Sequence, residues 1–576
     1  MSSTTNAASR PSFPLVAALF VLRSRRGSNA LIGERWRDGS GNVSKETFQG
    51  IKGFVKRTFD AIAREIAAAD YGTNGGAILF RPDVPPVTSE TVLVTRTRYG
   101  GDGGPGETTT ADGTVTRTKR DALSREIETI ENFKEDASPA PDVNRTTRFA
   151  YHAAGGLETL TLVNDVTGDQ VTRWVYGTTL TDSGVATGHL LRAKTYPESD
   201  DADAPLGNGP DGIYERTEHT YNRQGEVVTT KDPNETVHTY DRDKMGRPIH
   251  DRITALGTGI ADAVKRITTT YDTKRPSFVK TITSYDNASP GSGAILNQVA
   301  KAYNGYGQEI EDAQAHGGAV GGSTPKVAYA QANGANNTAR RTSMTYPNGR
   351  VVNLGYGASD SIEDLFSLVK SVAIQGESGN KVDYTRVGLG RFVEIAYPQP
   401  GVRMSMIRPG GGSEGDAGDP YDGFDRFSRT QAMRWEKTTD GSVLDGWDWG
   451  FNEASNRTWK NNLVAASGQD EAYGYDGLYQ VIRDAVGTLN TNRTAIGGIP
   501  AEDEDFTYDP VGNCLAYRKE ANGSAVLDQT RSNNQDNQLT QINGSNQGIE
   551  YDRAGNATKI RPGTGGDWTK HFAVTW

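Results

Sequence analysis

A short pattern returns along this chain: an aromatic residue, Asp or Asn, two or three variable residues, then Gly, often followed by Asn or Arg. It is cleanest at Tyr508-Asp509-Pro-Val-Gly512-Asn513 and Tyr551-Asp552-Arg-Ala-Gly555-Asn556. Looser copies stand at Tyr221-Asn-Arg-Gln-Gly225, Tyr240-Asp241-Arg-Asp-Lys-Met-Gly246-Arg247, Tyr151-His-Ala-Ala-Gly155 and Tyr475-Asp476-Gly-Leu-Tyr-Gln480. Recurrence of this kind means an array of similar supersecondary units, each too small to bury its own face. Such an array argues for a surface or a container more than for one catalytic pocket.

The residues around each copy say what the unit is. Glu226-Val-Val-Thr-Thr230 follows one copy and Thr236-Val-His-Thr-Tyr240 leads into the next. Alternating polar and β-branched residues mark strands, and the Asp, Asn and Gly between them mark a turn. Gly supplies the positive φ that a tight hairpin connection needs, and Asp can hold the bend by bonding its backbone. The Tyr ring can cover a neighbouring strand while its hydroxyl stays in water. Asn533-Asn-Gln-Asp-Asn537-Gln aligns without gaps to Tyr551–Asn556, with Asn537 in the Gly slot. Asn is the next residue to tolerate positive φ, so this copy keeps the turn chemistry.

Degenerate copies follow at Arg120-Asp-Ala-Leu-Ser-Arg125, Tyr303-Asn-Gly-Tyr-Gly307, Tyr384-Thr-Arg-Val-Gly388, Tyr421-Asp-Gly-Phe-Asp-Arg426 and Phe451-Asn-Glu-Ala-Ser-Asn456. Together these units resemble the YD repeats of Rhs proteins, also seen in insecticidal toxin complexes and teneurins. The resemblance runs from about Thr95 to the end of the chain. It implies an all-β array of antiparallel hairpins forming a curved or hollow spiral shell, often around a C-terminal toxin or effector. Tyr221, Gly225, Tyr240, Asp241, Gly246, Tyr475, Asp476, Tyr508, Asp509, Gly512, Tyr551, Asp552 and Gly555 would then be structural. The interior would sequester an effector encoded beyond residue 576, and the protein would be secreted or displayed on a cell surface. The chain departs from the family in lacking a convincing Asp-Pro-x-Gly cleavage box after the repeats. Asp509-Pro-Val-Gly512 has the letters but is the turn of a repeat with another behind it. Phe572-Ala-Val-Thr-Trp576 reads as a strand cut before its turn, so a fragment is expected, with strand edges prone to association.

Four sections follow from this reading: an N-terminal segment (1–43), a helical element and linker (44–90), degenerate repeats (91–420) and clearer repeats (421–576). The helix rests on Phe48, Ile51, Phe54, Val55, Phe59, Ile62 and Ile66, which recur at three- and four-residue steps before Tyr71-Gly72. Phe13–Leu22 is apolar but too short to span a bilayer as a helix, and its arginines follow the run instead of leading it.

Composition narrows the partners. Only 35% of residues are hydrophobic and 68 are Gly, which suits many turns on a two-sided polar sheet. The net charge of −10 argues against nucleic acid, whose phosphates need clustered Lys and Arg. Cys514 stands alone, so no internal disulfide forms.

No motif carries catalysis, a metal or a cofactor. Gly101-Asp-Gly103-Gly-Pro-Gly106 has dinucleotide-site letters but leads into the strand-like Glu107-Thr-Thr-Thr, not a helix. Gly411-Gly-Ser413-Glu-Gly415 lacks the strand and helix of a nucleophile elbow. Asp241-Arg-Asp243 starts like a calcium loop, but Met245 occupies a ligand position. Asp200-Asp-Ala-Asp203 and Glu502-Asp-Glu-Asp505 read as solvated acidic loops. Trp435, Trp447, Trp449 and Trp459 form an aromatic cluster that suits either strand packing or stacked sugar rings. A glycan-binding adhesion module is therefore the alternative to a non-catalytic shell.

Overall fold

The computed structural model of the protein describes residues 54–559, apart from 77–83, 204–205, 333–338, 408–420, 466–467 and 547. Before them it gives the backbone of three strands, Ala17–Arg23, Asn29–Arg37 and Val43–Glu46. The Gly411–Gly415 motif and the segment Phe572–Trp576 lie outside the described residues.

Thirty-seven strands form one antiparallel sheet, and two short hairpins, Ala202–Asp203 with Leu206–Gly207 and Glu550–Tyr551 with Ala557–Lys559, stand apart from it. Pairing follows chain order from Ala17–Arg23 to Leu539–Ile542, interrupted only where Thr187–Thr195 pairs Arg216–Tyr221 across a small separate hairpin. The all-β array of hairpins is thus the observed architecture. Short Val/Thr/Tyr strands alternate with Asx-Gly turns, so each strand meets its sequence neighbours and nothing crosses over. The sheet has no thick core. Its hydrophobic clusters are small: Val387, Val393 and Phe424 in one, Ala67, Ala69, Val92 and Val94 in the other.

The helix expected between Ser44 and Ala69 is absent. Val55–Phe59 and Glu65–Asp70 are antiparallel strands, with Lys56 opposite Ala69 and Thr58 opposite Ala67. Phe48 and Ile51 lie outside the described residues. The helical spacing fails because Asp60 takes the backbone N–H groups of Ile62 (3.0 Å) and Arg64 (2.9 Å), while Ala63 sits at φ 65°. Such side-chain bonds to the local backbone compete directly with helix hydrogen bonds. Phe59-Asp60-Ala-Ile-Ala63-Arg64 is therefore one more copy of the repeat, with Phe for Tyr and Ala for Gly. Among the described residues the single α-helical turn is Ile362–Leu365, capped by Ser361.

The copy expected at Tyr384–Gly388 forms no turn at Thr385, because Tyr384–Val387 lie within the strand Asn380–Val387, and two other copies fall in a different register from the sequence reading. The turn after Tyr240 is built on Asp243 and Arg247, with Arg242 in the aromatic slot. Tyr240 and Asp241 stay inside the strand Val237–Arg242, where Asp241 pairs with Arg252 at 2.6 and 2.9 Å. Likewise the turn expected at Tyr421–Arg426 is made by Phe424-Asp425-Arg-Phe-Ser428-Arg429. In both cases the turn closes on a later Asp with an Arg four positions ahead; Asp241 has no such Arg, and Asp422, which has Arg426, bonds Arg434 at 2.8 Å instead. Glu502–Asp505 is not a loop either. It opens the strand Glu502–Tyr508, held by Lys519 and Arg483 from neighbouring strands.

Candidate functional site

Most repeat turns close on an Asx side chain; after Tyr151 that place is taken by His152, whose Nδ1 accepts the Ala154 N–H at 3.1 Å. In the turn at Asp121, the N–H groups of Leu123 and Arg125 both donate to Oδ1 (2.9 and 3.0 Å), and Arg125 Nε donates to Oδ2 (2.7 Å). Asn222, Asp476, Asp509, Asn534 and Asp552 accept the N–H four residues ahead in the same way, at 2.8–3.0 Å. The residue before that N–H has positive φ, met by Gly512 at 94° and Gly555 at 86°. Ser124, Ser428 and Tyr479 adopt it at 62–65°, so the turn tolerates other side chains where the Asx bonds hold it.

A bulge follows each turn. Thr220 faces Thr229 but Tyr221 faces Val227, and Thr507 faces Ala516 but Tyr508 faces Cys514. The extra residue interrupts the ladder. The Tyr hydroxyl does not stay in water; it reaches the preceding hairpin. Tyr151 donates to Glu126 O (2.7 Å), Tyr271 to Pro248 O (2.8 Å) and Tyr475 to Arg457 O (2.8 Å), each carbonyl being just past the previous turn. The Arg that closes that previous turn lies over the same ring: Arg125 4.4 Å from the Tyr151 centroid and Arg247 4.2 Å from Tyr271. One motif thus closes its own turn and staples the next hairpin. Tyr303→Phe, which removes the 2.8 Å bond to Val279 O, is expected to destabilise by about 1 kcal/mol in denaturant titration.

Further contacts bring together residues 318–369 positions apart. Arg426 donates to Thr91 O (2.9 Å), and Gly477 N to Asp142 (2.9 Å). Asn164 Nδ2 donates to Asp509 Oδ2 (2.8 Å), and Gln170 Nε2 to Asn537 (2.7 Å). Asn534 donates to Glu198 (3.0 Å), and Asn234 to Asp552 (3.1 Å). The partners advance in step along both segments, so the sheet spirals: a second coil beginning near residue 421 seats on the first. In every case a repeat turn of the second coil meets a loop on the opposite rim of the first. Asp509, Asn164, Gln170 and Asn234 are buried along this seam. A cleft of about 690 Å³ opens on it, lined by Gln170, Glu198, Asn537 and Asp552 among others.

The four Trp residues lie in neighbouring strands. Trp435 stacks on Tyr397 with centroids 5.9 Å apart, and Trp449 is buried. Arg457 lies 4.9 Å from Trp449, Lys460 5.4 Å from Trp447 and Arg493 4.5 Å from Trp459. Gly450 leaves the space that the Trp459 indole fills. One side of each ring is therefore occupied by the protein itself.

The sheet also carries a row of carboxylates that the sequence did not reveal. Asp484 lies opposite Glu504, and Glu471 sits on the strand at its other side. Burial, then the charges of Glu471 and Glu504, push the Asp484 carboxyl up to about 6. With its folded value above the unfolded one, Asp484 leaves stability unaffected in strong acid. It withdraws stability as pH rises from about 4 to 6 and leaves a constant penalty above that. Asp484→Asn is expected to stabilise by about 1 kcal/mol at pH 7, after allowance for solvent screening, and to lose this advantage below about pH 4 in thermal melts. Elsewhere Asp200, Asp211 and Glu215 bring carboxylate oxygens within 4.8 Å of one another. Burial and the adjacent Asp211, Asp200 and Asp201 raise the Glu215 carboxyl above its ordinary range.

No family profile matches the chain, and no curated protein matches its sequence. Solved structures do match. The crystal structure of TcdB2-TccC3-TEV is 13% identical with a TM-score of 0.53, over 92% of this chain and 27% of that one. The Photorhabdus luminescens Tc holotoxin pore gives 11% and 0.52, over 96% and 29%. TcdB2-TccC3 without its hypervariable C-terminal region gives 12% and 0.51, over 96% and 30%. This chain spans less than a third of each. At these identities the likeness is one of fold: the spiralling antiparallel sheet is shared with Tc toxin structures.

Proposed function

We propose that the protein is a non-catalytic wall segment of a Rhs/YD-repeat shell that encloses or presents a polypeptide effector. One observation carries the reading: the sheet winds back onto itself and seals through buried side chains, Asn164 to Asp509 above all. A wall continuous along and across its strands is what retaining a chain requires. The repeated Tyr–carbonyl staple stiffens the wall along its length, and the seam stiffens it across. The fold shared with Tc toxin structures supports the same role. No helix among the described residues is long and apolar enough to cross a membrane.

The test is protease protection of the C-terminal domain in the protein expressed from its complete genomic reading frame. Protection that is lost in the Asn164→Ala/Asp509→Ala variant supports enclosure. A domain digested as fast as its isolated counterpart, or a reading frame without one, overturns it.

A further inference from the structure

The seam gives the chemistry of a docking rim, and the same chemistry stands uncovered on the first coil. Successive connections of the sheet alternate between two rims. The repeat turns lie on one rim (60–64, 121–125, 243–247, 304–308, then 425–429, 476–480, 509–513), the intervening loops on the other. At the seam the turns of the second coil seat on the loops of the first.

Three residues after the aromatic slot, at the tip of these seven turns, the chain places an apolar side chain, whereas the turns after Tyr221, Tyr271 and Asn533 place Gln224, Lys274 and Asp536 there. In the second coil these are Phe427, Leu478 and Val511, all partly buried. In the first coil the same slot holds Ile62, Leu123, Met245 and Tyr306, which are 71%, 73%, 67% and 78% exposed. Isolated apolar side chains on a surface mean little, but a row in one structural slot along one rim marks an interaction surface. The slot before it behaves alike. Arg426 and Arg553 hold it in the second coil and reach Thr91 O and Glu235 across the seam. In the first coil it holds the exposed cations Arg223 and Lys244 in two turns and Ala61, Ala122 and Gly305 in three others.

The opposite rim is also uncovered where the second coil does not reach. It carries the exposed carboxylates Asp262, Glu377 and Asp440, the first paired with Lys265 and the second with Arg350 and Lys381 on the same rim, with Val464 and Ile499 at 48% and 73% exposure. Among the described residues the two rims therefore match in the manner of the seam, with apolar tips on one and apolar loops on the other, and with Arg223 and Lys244 on the first and Asp440 on the second.

We propose that the uncovered repeat-turn rim docks onto the uncovered loop rim of a second copy of this chain, stacking copies head to tail. The contact is heterologous, so the assembly is open-ended and grows with concentration. It rests on the seam's geometry and not on the enclosure of an effector. It also differs from edge-strand pairing, which uses backbone groups and is indifferent to turn-tip side chains.

Sedimentation of the 576-residue protein over a wide concentration range tests this. The mass is expected to rise from monomer to multiples as concentration increases. Leu123→Glu/Met245→Glu is expected to weaken that association by about tenfold or more, the scale of a charge placed in a desolvated contact. Arg223→Glu/Lys244→Glu, which leaves every apolar contact in place, is expected to weaken it and to steepen its response to salt. Val526→Glu, an equally exposed position on a strand (59%), is expected to change nothing. A monomer at every concentration overturns the proposal, and so does association that survives both rim variants.

Discussion

Asp509→Ala is expected to lower the stability of the protein by about 3–4 kcal/mol, more than any other single change in a repeat turn. Asp509 is fully buried. Its Oδ1 takes the N–H groups of Val511 (3.1 Å) and Asn513 (2.8 Å), and its Oδ2 takes the side-chain amides of Asn513 and Asn164, both at 2.8 Å. Removing the carboxylate leaves four donors without an acceptor, and one of them, on Asn164, has no route to water. Asp509→Asn does not rescue the site. Both partners of Oδ2 are amide N–H groups, so an asparagine satisfies one oxygen's partners and turns its own NH2 against the other's. Chemical denaturation measures the loss. Hydrogen exchange shows where it falls: residues 509–513 and 163–169 should open together while the turn at 121–125 keeps its protection. A loss under about 1 kcal/mol would mean that Asp509 closes its own turn and latches nothing.

Much of this was legible in the sequence, and the part that was not has a physical reason. The strand–turn–strand unit is written locally, because Val/Thr alternation and an Asx-Gly turn each act within a few residues. The copies at Tyr508 and Tyr551 could be read directly for that reason. Phe59–Arg64 was hidden because Ala63 replaces Gly and because Phe59, Ile62 and Ile66 also fit a helix. The deciding signal was Asp60 with Arg64 four residues on, a pair that closes the turn whatever occupies the positive-φ position. The same pair would have placed the turn at Asp243, but it leaves Asp425 with Arg429 tied against Asp422 with Arg426. The seam could not be read at all. Asn164 and Asn234 are ordinary loop residues, and Gln170 an ordinary strand start, until a second coil arrives more than three hundred residues later. Nor do the letters distinguish Tyr479 in the seam, bonded to Asp112 at 3.1 Å, from Tyr306 standing exposed.

Asp201→Ala is expected to cost about 3 kcal/mol, because it strands a cation that the loop 196–215 holds out of water. Arg216 Nη1 donates to Asp201 Oδ2 at 2.7 Å, with side-chain exposures of 7% and 0%. Glu215 N donates to the same oxygen at 3.0 Å. Glu218, Asn208 and the Gly207 carbonyl also receive the guanidinium, which keeps the penalty at the lower end for a broken buried pair. Replacing both partners by apolar residues, as Asp201→Leu/Arg216→Met, should recover most of the loss, since burying no charge is cheaper than burying one alone. The loop matters beyond its own stability because its first turn presents Glu198 to Asn534 and Gln535 of the second coil. Exchange at residues 534–538 should therefore accelerate in Asp201→Ala and return toward normal in the double variant. If those amides are indifferent to both changes, this stretch of the seam is held by Gln170 with Asn537 and by Gln535 with the Asp169 carbonyl, and the loop is a passenger on the rim.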